Sequence, residues 1–318
     1  MGPESRERSN PETNLPAKFT IFRITLIFLI LLTHQNLSIA KNKSKELFAK
    51  GTTPVKLAGG FLFTEGPACD HKGNIFFSDQ DNNRIMKWST ENQLSIFGEN
   101  FGRANGTKFD KKGNLITCSD EKNELWSIAP DGKATVLVRD FEGRKLNGPN
   151  DLWIAPNGGI YLTDPFYKRS WWDHQNSEQD GEHVYYLAPG SSKLIRVADD
   201  FQKPNGIVGT PDGKYLFVAD IKGKKTWRYK IGKDGKLTDK KLFVEQGSDG
   251  MAIDNKGNIY MTGTGITVFD PEGHLIIKIP TEESWTTNVC FGGKHRNLLF
   301  ITAVKSVYGL KMKVKGAR

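Results

Sequence analysis

The sequence predicts an all-β fold, a six-bladed β-propeller with four-stranded blades, and three observations predict it. First, one pattern recurs along the chain: a polar anchor, a short apolar strand, a glycine turn and a second strand. Glu65 is followed eight residues later by Gly73, Asn105 by Gly113, Asn150 by Gly158, Asn205 by Gly213 and Asp249 by Gly257, and a weaker sixth copy opens at Asn288 with Gly292-Gly293 as its turn. Second, the anchors are spaced 40, 45, 55, 44 and 39 residues apart. A sustained period of that size with two clear strands per unit marks a propeller. Third, the repeat is unbroken from about Lys50 to the end. Each blade can bury its faces only against its neighbours, so a continuous repeat predicts one closed ring rather than two domains.

Taken in order, the chain begins with a segment of a different kind. Met1 to Ala17 is polar; Lys18 and Arg23 then precede the apolar run Ile24 to Leu32, and Ser38-Ile39-Ala40 offers small residues for a signal peptidase. The run is shorter than the roughly 20 apolar residues that span a bilayer. Residues 1–40 therefore read as an export signal, or as an anchor if left uncleaved, and predict a periplasmic or secreted protein. Residues 41–50 form a Lys-rich connector with weak helical character, and residues 51–318 form the propeller. Val55 to Ala58 is the candidate for closing the ring, pairing near Ser306 to Val314 as the fourth strand of blade six.

Blade one continues from Glu65 through Ile75 to Asp79, Arg84 to Trp88 and Leu94 to Phe97. Blade two runs from Asn105 through Leu115 to Asp120 and Glu124 to Ile128, and turns at Pro130-Asp131-Gly132, where Asp-Gly between apolar runs signals a hairpin. Blade three opens at Asn147-Gly148-Pro149-Asn150-Asp151 and carries an insertion, Phe166 to Glu182, before its third strand. Blades four and five start at Asn205 and Asp249, with turns at Asp234-Gly235 and Glu272-Gly273; blade six starts at Asn288 and lacks a tidy fourth strand.

Composition narrows the function. The 318 residues are 37% hydrophobic and 25% charged, ordinary for a globular protein. The net charge of +9 falls to +8 without residues 1–40, which carry four Lys/Arg and three Asp/Glu. Its lysines are scattered over predicted turns without interleaved stacking aromatics, which argues for a solvated surface and against a nucleic-acid partner. Cys69, Cys118 and Cys290 show no CxxC or Cys/His spacing, so a structural zinc site is excluded and buried thiols are expected. A complete ring needs no partner, so a monomer or weak dimer is expected.

The anchors open the innermost strands and converge on the axis. Two carboxylates, Glu65 and Asp249, and four amides there make an all-oxygen set. Like charges pressed together are costly unless a cation shares them, which predicts one divalent ion, Ca²⁺ before Mg²⁺, Mn²⁺ or Zn²⁺. A channel filled with hydrogen-bonded polar residues and water is the alternative. By strand order the 166–182 insertion overhangs the anchors as a lid or specificity loop. Asp79, Asp164 and Asp220 are expected to tie loops to backbone N–H groups.

Thr64-Glu65-Gly66-Pro67, Arg103-Ala104-Asn105-Gly106, Asn147-Gly148-Pro149-Asn150-Asp151, Tyr161-Leu162-Thr163-Asp164-Pro165, Pro204-Asn205-Gly206 and Ser248-Asp249-Gly250 resemble the gluconolactonase / senescence marker protein (regucalcin-like) family. The resemblance covers nearly the whole chain after residue 40, and the paraoxonases and diisopropyl fluorophosphatase are more distant likenesses. It implies Glu65, Asn150 and Asp249 as ligands of one divalent cation, with Asn205 completing or bordering the shell. It implies Arg103 and Asn105 as substrate contacts and Asp249 as general base, for the hydrolysis of a small-molecule lactone, a sugar lactone above all.

That chemistry is coherent on its own: a cation polarises a lactone carbonyl and Asp249 takes the proton of the attacking water. The chain has no G-x-S-x-G elbow and no Ser-His-Asp arrangement, which argues against a covalent serine mechanism. Within the insertion, Trp171 is a candidate for stacking on a sugar face, as is Trp172, and His174 is either a second proton-transfer group or an exposed loop residue. A non-catalytic propeller that binds ligand or protein, and a same-fold organophosphatase or other lactonase, are the competing readings.

Overall fold

The computed structural model describes residue 2 and residues 43–317 of the chain. The predicted export signal, residues 1–40, lies outside the described residues apart from Gly2. Six four-stranded antiparallel sheets form the blades of a β-propeller, with one extra two-stranded hairpin, Asp140–Phe141 with Arg144–Lys145. Among the described residues no helix is long and apolar enough to cross a membrane.

The ring closes as the sequence predicts. Val55–Gly59 is the outermost strand of blade six, pairing antiparallel with Ser306–Lys311 from Val55 opposite Gly309 to Gly59 opposite Ser306. The first and last strands of the ring thus lie in one sheet, so neither end of the circle leaves an open edge. The connector is more than a spacer. Residues 43–47 form a helical turn, Leu47 is buried in the core between blades five and six, and Lys43 Nζ lies 2.7 Å from Asp270 Oδ2.

Burial follows the distance from the axis. The inner and second strands, such as Asn288–Gly292 and Ile259–Gly263, are buried throughout, whereas the outer strand Leu94–Glu99 is mostly exposed. Between blades the apolar faces interdigitate. Phe77 of blade one packs on Phe61 edge-on at 5.3 Å and on Phe300 of blade six at 5.4 Å.

Close to the axis the blades are fastened by hydroxyls rather than by apolar surface. Ser78 Oγ donates to the carbonyl of Asn105 at 3.0 Å, Thr163 Oγ1 to that of Asn205 at 2.8 Å, and Thr262 Oγ1 to that of Thr287 at 2.9 Å. Each bond joins a second strand to the start of the next blade's inner strand, where six chains crowd together and backbone carbonyls have no other partner. The same crowding explains the glycine that follows most anchors. A Cβ at Gly106 would collide with the backbone of Asn150 and Asp151, and one at Gly250 with the amide of Asn288.

Candidate active site

Five of the six anchors, Glu65, Asn105, Asn150, Asn205 and Asp249, line one cavity of about 210 Å³ at the axis, together with Phe63, Tyr167, Arg169 and Ile221. The first five form its polar floor because each opens an inner strand at the same face. The lid segment supplies Tyr167 and Arg169, as expected if the 166–182 insertion overhangs the anchors.

The floor is tightly organised. Asn205 Nδ2 donates to Asp249 Oδ1 at 2.9 Å and to the Tyr167 hydroxyl at 3.1 Å. Trp285 Nε1 donates to Asp249 Oδ2 at 2.7 Å, so both carboxylate oxygens of Asp249 accept a bond. Turning its amide nitrogen to these acceptors leaves Asn205 Oδ1 buried without a partner, and Asn105 Oδ1 is in the same state. Buried oxygens without donors are costly.

The sixth anchor is used differently. Asn288 donates from Nδ2 to Glu65 Oε2 at 3.0 Å and to Asp151 Oδ2 at 3.4 Å, and its own Oδ1 accepts from Val289 N at 2.8 Å. It braces Glu65 from below rather than facing the cavity. Asp151 is a third buried carboxylate near the axis that sequence reasoning passed over, although it closes the Asn147-to-Asp151 motif. Its Oδ1 accepts from Leu152 N at 2.8 Å and lies 3.7 Å from Lys108 Nζ.

Electrostatics follow from this burial. Glu65 is raised well above the ordinary carboxylate range by desolvation first, then by the charges of Asp249 and Asp151. Asp249 is raised to about 6, again chiefly by desolvation, with the Trp285 and Asn205 hydrogen bonds opposing. Acidic groups held this way favour either a proton or a cation. A hard cation suits the donor set better: two carboxylates, and amide oxygens of which two lack any partner.

Elsewhere, Asp270, Glu272 and His274 form the group among the described residues whose three Asp/Glu/His ligand atoms lie within 4.8 Å of one another. That turn already has a cation in Lys43, and Asp270 Oδ1 accepts from Glu272 N and His274 N at 3.1 and 2.8 Å. Asp254 and Asp110 hold equivalent turns in the same way. The arrangement is a turn staple.

The predicted substrate contacts separate. Asn105 is on the cavity floor, but Arg103 does not line the cavity. Its Nη1 donates to Asp81 O at 2.6 Å, and its guanidinium lies 4.6 Å from the Trp171 ring centroid. Trp171 also stands back from the cavity, donating from Nε1 to Asp120 Oδ1 at 3.0 Å. Trp172 is buried, donates to Asp120 O at 2.8 Å and carries His174 stacked on it at 4.9 Å. These rings pin the lid. Tyr167 and Arg169, unassigned from sequence, are the lid residues that face the site. No disulfide joins Cys69, Cys118 or Cys290.

Comparison with known proteins agrees with this geometry. Residues 63–305 match the family model described as SMP-30/Gluconolactonase/LRE-like region. A gluconolactonase of Zymomonas mobilis is 28% identical over 297 residues, covering 83% of this chain and 83% of that protein. The diisopropyl-fluorophosphatase of Loligo vulgaris is 30% identical over 195 residues, covering 56% of this chain and 62% of that protein. Among solved structures, a gluconolactonase from Xanthomonas campestris superposes with a TM-score of 0.79 at 28% identity, covering 85% of this chain and 92% of its own.

Proposed function

The chain belongs to the SMP-30/gluconolactonase/LRE-like family, and from that premise we propose that it hydrolyses a lactone, a sugar lactone such as an aldonolactone, with one divalent cation at the propeller axis. With its gluconolactonase relatives it is a hydrolase. The observation that carries the finer reading is the cavity floor: buried Glu65 and Asp249 beside amide oxygens of Asn105 and Asn205 that have no partner. Such a floor is unstable as a set of bare charges and stable around a cation.

Glu65, Asn150, Asn205 and Asp249 are the residues that would hold the ion, Ca²⁺ by the hardness and number of these oxygens. When bound, it would supply Lewis-acid polarisation of the lactone carbonyl and make an attacking water more acidic. Asp249 is the group to accept that water's proton, since burial raises its carboxyl to about 6, close to where a general base works best at neutral pH. Asn205 and Trp285 fix the plane of that carboxylate through its two oxygens. Asn105 offers an unpaired oxygen to a substrate hydroxyl. Phe63, Ile221 and the Tyr167 ring restrict water around the reacting centre.

The kinship with a diisopropyl-fluorophosphatase favours a second reading, hydrolysis at phosphorus over the same floor. Acid release from D-glucono-1,5-lactone, a small lactone panel and a fluorophosphate, with and without chelator and beside Asp249→Asn, separates the two. Chelator-sensitive lactone turnover that disappears in the variant is the expected result. Turnover of the fluorophosphate alone, or of neither, overturns the lactonase reading. We propose export as well, on the strength of residues 24–40; the mature protein should then begin near Lys41 by mass spectrometry, and an intact N-terminus would refute cleavage.

A further inference from the structure

The aspartate that ends the second strand has one task in blades one, three and four: it ties the loop leading into its own blade. Asp79 accepts from Leu62 N and Phe63 N at 2.9 and 3.3 Å, Asp164 from Asn147 N and Gly148 N at 2.9 and 2.9 Å, and Asp220 from Gln202 N and Lys203 N at 2.9 and 2.9 Å. Asp120 holds the equivalent place in blade two and is used otherwise. There the leading loop is tied by Arg103 N to Asn83 Oδ1 at 2.7 Å and Glu121 N to Gly102 O at 3.0 Å.

Asp120 reaches instead to the lid, 49 to 52 residues further along the chain. Its Oδ2 accepts from Arg169 Nε and Nη2 at 3.0 and 2.8 Å, and its Oδ1 from Trp171 Nε1 at 3.0 Å. Its side chain is only 2% exposed. A buried carboxylate holding an arginine fork and an indole is a strong, directional fastening.

The consequence falls on Arg169. One edge of its guanidinium is fixed by Asp120, and the Trp171 and Tyr167 ring centroids lie 5.4 and 5.5 Å away. Its Nη1 is left clear of that carboxylate. Arg169 lines the axial cavity, and it is the single cationic side chain among the residues lining it. Arg103, packed on the same Trp171 ring, supports this arrangement from outside the cavity. A rigidly held guanidinium recognises a carboxylate by a planar, two-pronged bond that a lysine cannot reproduce.

We propose that Arg169, positioned by Asp120, is the specificity-determining residue of the cavity and selects ligands that carry a carboxylate, both acid products and lactones with a pendant carboxylate. The lactone half of this rests on the lactonase reading; the carboxylate half does not.

Calorimetric titration of D-gluconate into the Ca²⁺-loaded full chain tests it, with D-glucitol as the neutral counterpart. Wild type should bind gluconate in preference to glucitol. Arg169→Gln should weaken gluconate binding about tenfold or more, and Arg169→Lys less, because it keeps the charge but loses the fork. Asp120→Asn should fall between them and also speed hydrogen exchange across residues 166–182. In kinetics, Arg169→Gln should raise KM for D-glucaro-1,4-lactone more than for D-glucono-1,5-lactone, with kcat largely kept. Equal binding of gluconate and glucitol by wild type, or unchanged gluconate binding in both Arg169 variants, overturns the proposal. If no lactone is turned over while the gluconate difference persists, the lactonase reading fails and carboxylate recognition stands.

Discussion

Removing the cation should destabilise the protein more at pH 7.5 than at pH 5, and Asp249→Asn should abolish the difference. Asp249 is held at about 6 in the ion-free chain, above the ordinary 3.8. Between those values the folded chain binds more protons than the unfolded one, so the stability linked to Asp249 is fully present below about pH 4. It is lost as pH rises through 6, a loss of roughly 3 kcal/mol for two pKa units. Glu65 shifts in the same direction and adds to it. A bound cation cancels the loss because it keeps both carboxylates ionised at no such cost. At 100 times Kd it also contributes about 2.7 kcal/mol through binding the folded state alone. For a chain of this size each kcal/mol moves Tm by about 2–4 °C, so chelator should lower Tm by about 5–10 °C at pH 7.5 and distinctly less at pH 5. In chelator, Asp249→Asn should melt at or above wild type at pH 7.5, because it removes a buried charge; in Ca²⁺ it should melt below. Differential scanning calorimetry in the four conditions reads this directly. A wild-type Tm indifferent to chelator at both pH values, or a variant that responds to Ca²⁺ like wild type, would show that the floor is a hydrogen-bonded plug and not a cation site.

Lys108→Met should destabilise the fold by about 3 kcal/mol in urea titrations, since it leaves Asp151, fully buried with Lys108 Nζ at 3.7 Å, without its cation; a neutral effect would mean that the Asn288 and Leu152 bonds suffice alone. Gly250→Ala should cost about 1–3 kcal/mol and weaken Ca²⁺ binding together, because its Cβ drives into the Asn288 amide that braces Glu65. Stability loss with unchanged Ca²⁺ affinity would separate Asn288 from the floor. Trp285→Phe keeps the ring but removes the 2.7 Å bond to Asp249 Oδ2; a bond to a charged group contributes about 1.5–3 kcal/mol, so lactone turnover should fall about tenfold or more. Wild-type turnover would remove Trp285 from the site.

The ring was legible because its signals are local and repeated. Glycine turns eight residues after each anchor and Ser-Asp or Thr-Asp at second-strand ends mark every blade within a window of about 15 residues, and closure by Val55–Gly59 follows from blade six lacking a strand. The floor was legible for the same reason: an anchor's position in its blade fixes its distance from the axis. What could not be read is what crosses between blades without a repeat to announce it. Asp151 looks like the tail of its motif until Lys108 and Asn288 are seen to converge on it from two other blades. Arg103 looks like a substrate contact until the lid supplies Trp171 to cover it.

Asp120 shows the limit most clearly. Its sequence context, Ser119-Asp120 at an offset of 15 from Asn105, matches that of Asp220 from Asn205, so the residue itself was visible. Its partners were not, because they belong to an insertion that appears once, in a neighbouring blade. That asymmetry is also a functional argument. Five-sixths of this molecule is constrained by the need of every blade to fit its neighbours, and a residue serving the ring is under the same demand in each copy. A residue released from the loop tie its counterparts make, and committed to a segment with no counterpart, is free of that demand. Asp120 and the lid are therefore where this chain's own selectivity can differ from that of other propellers with the same floor, while Glu65, Asn150 and Asp249 keep the chemistry common to the fold.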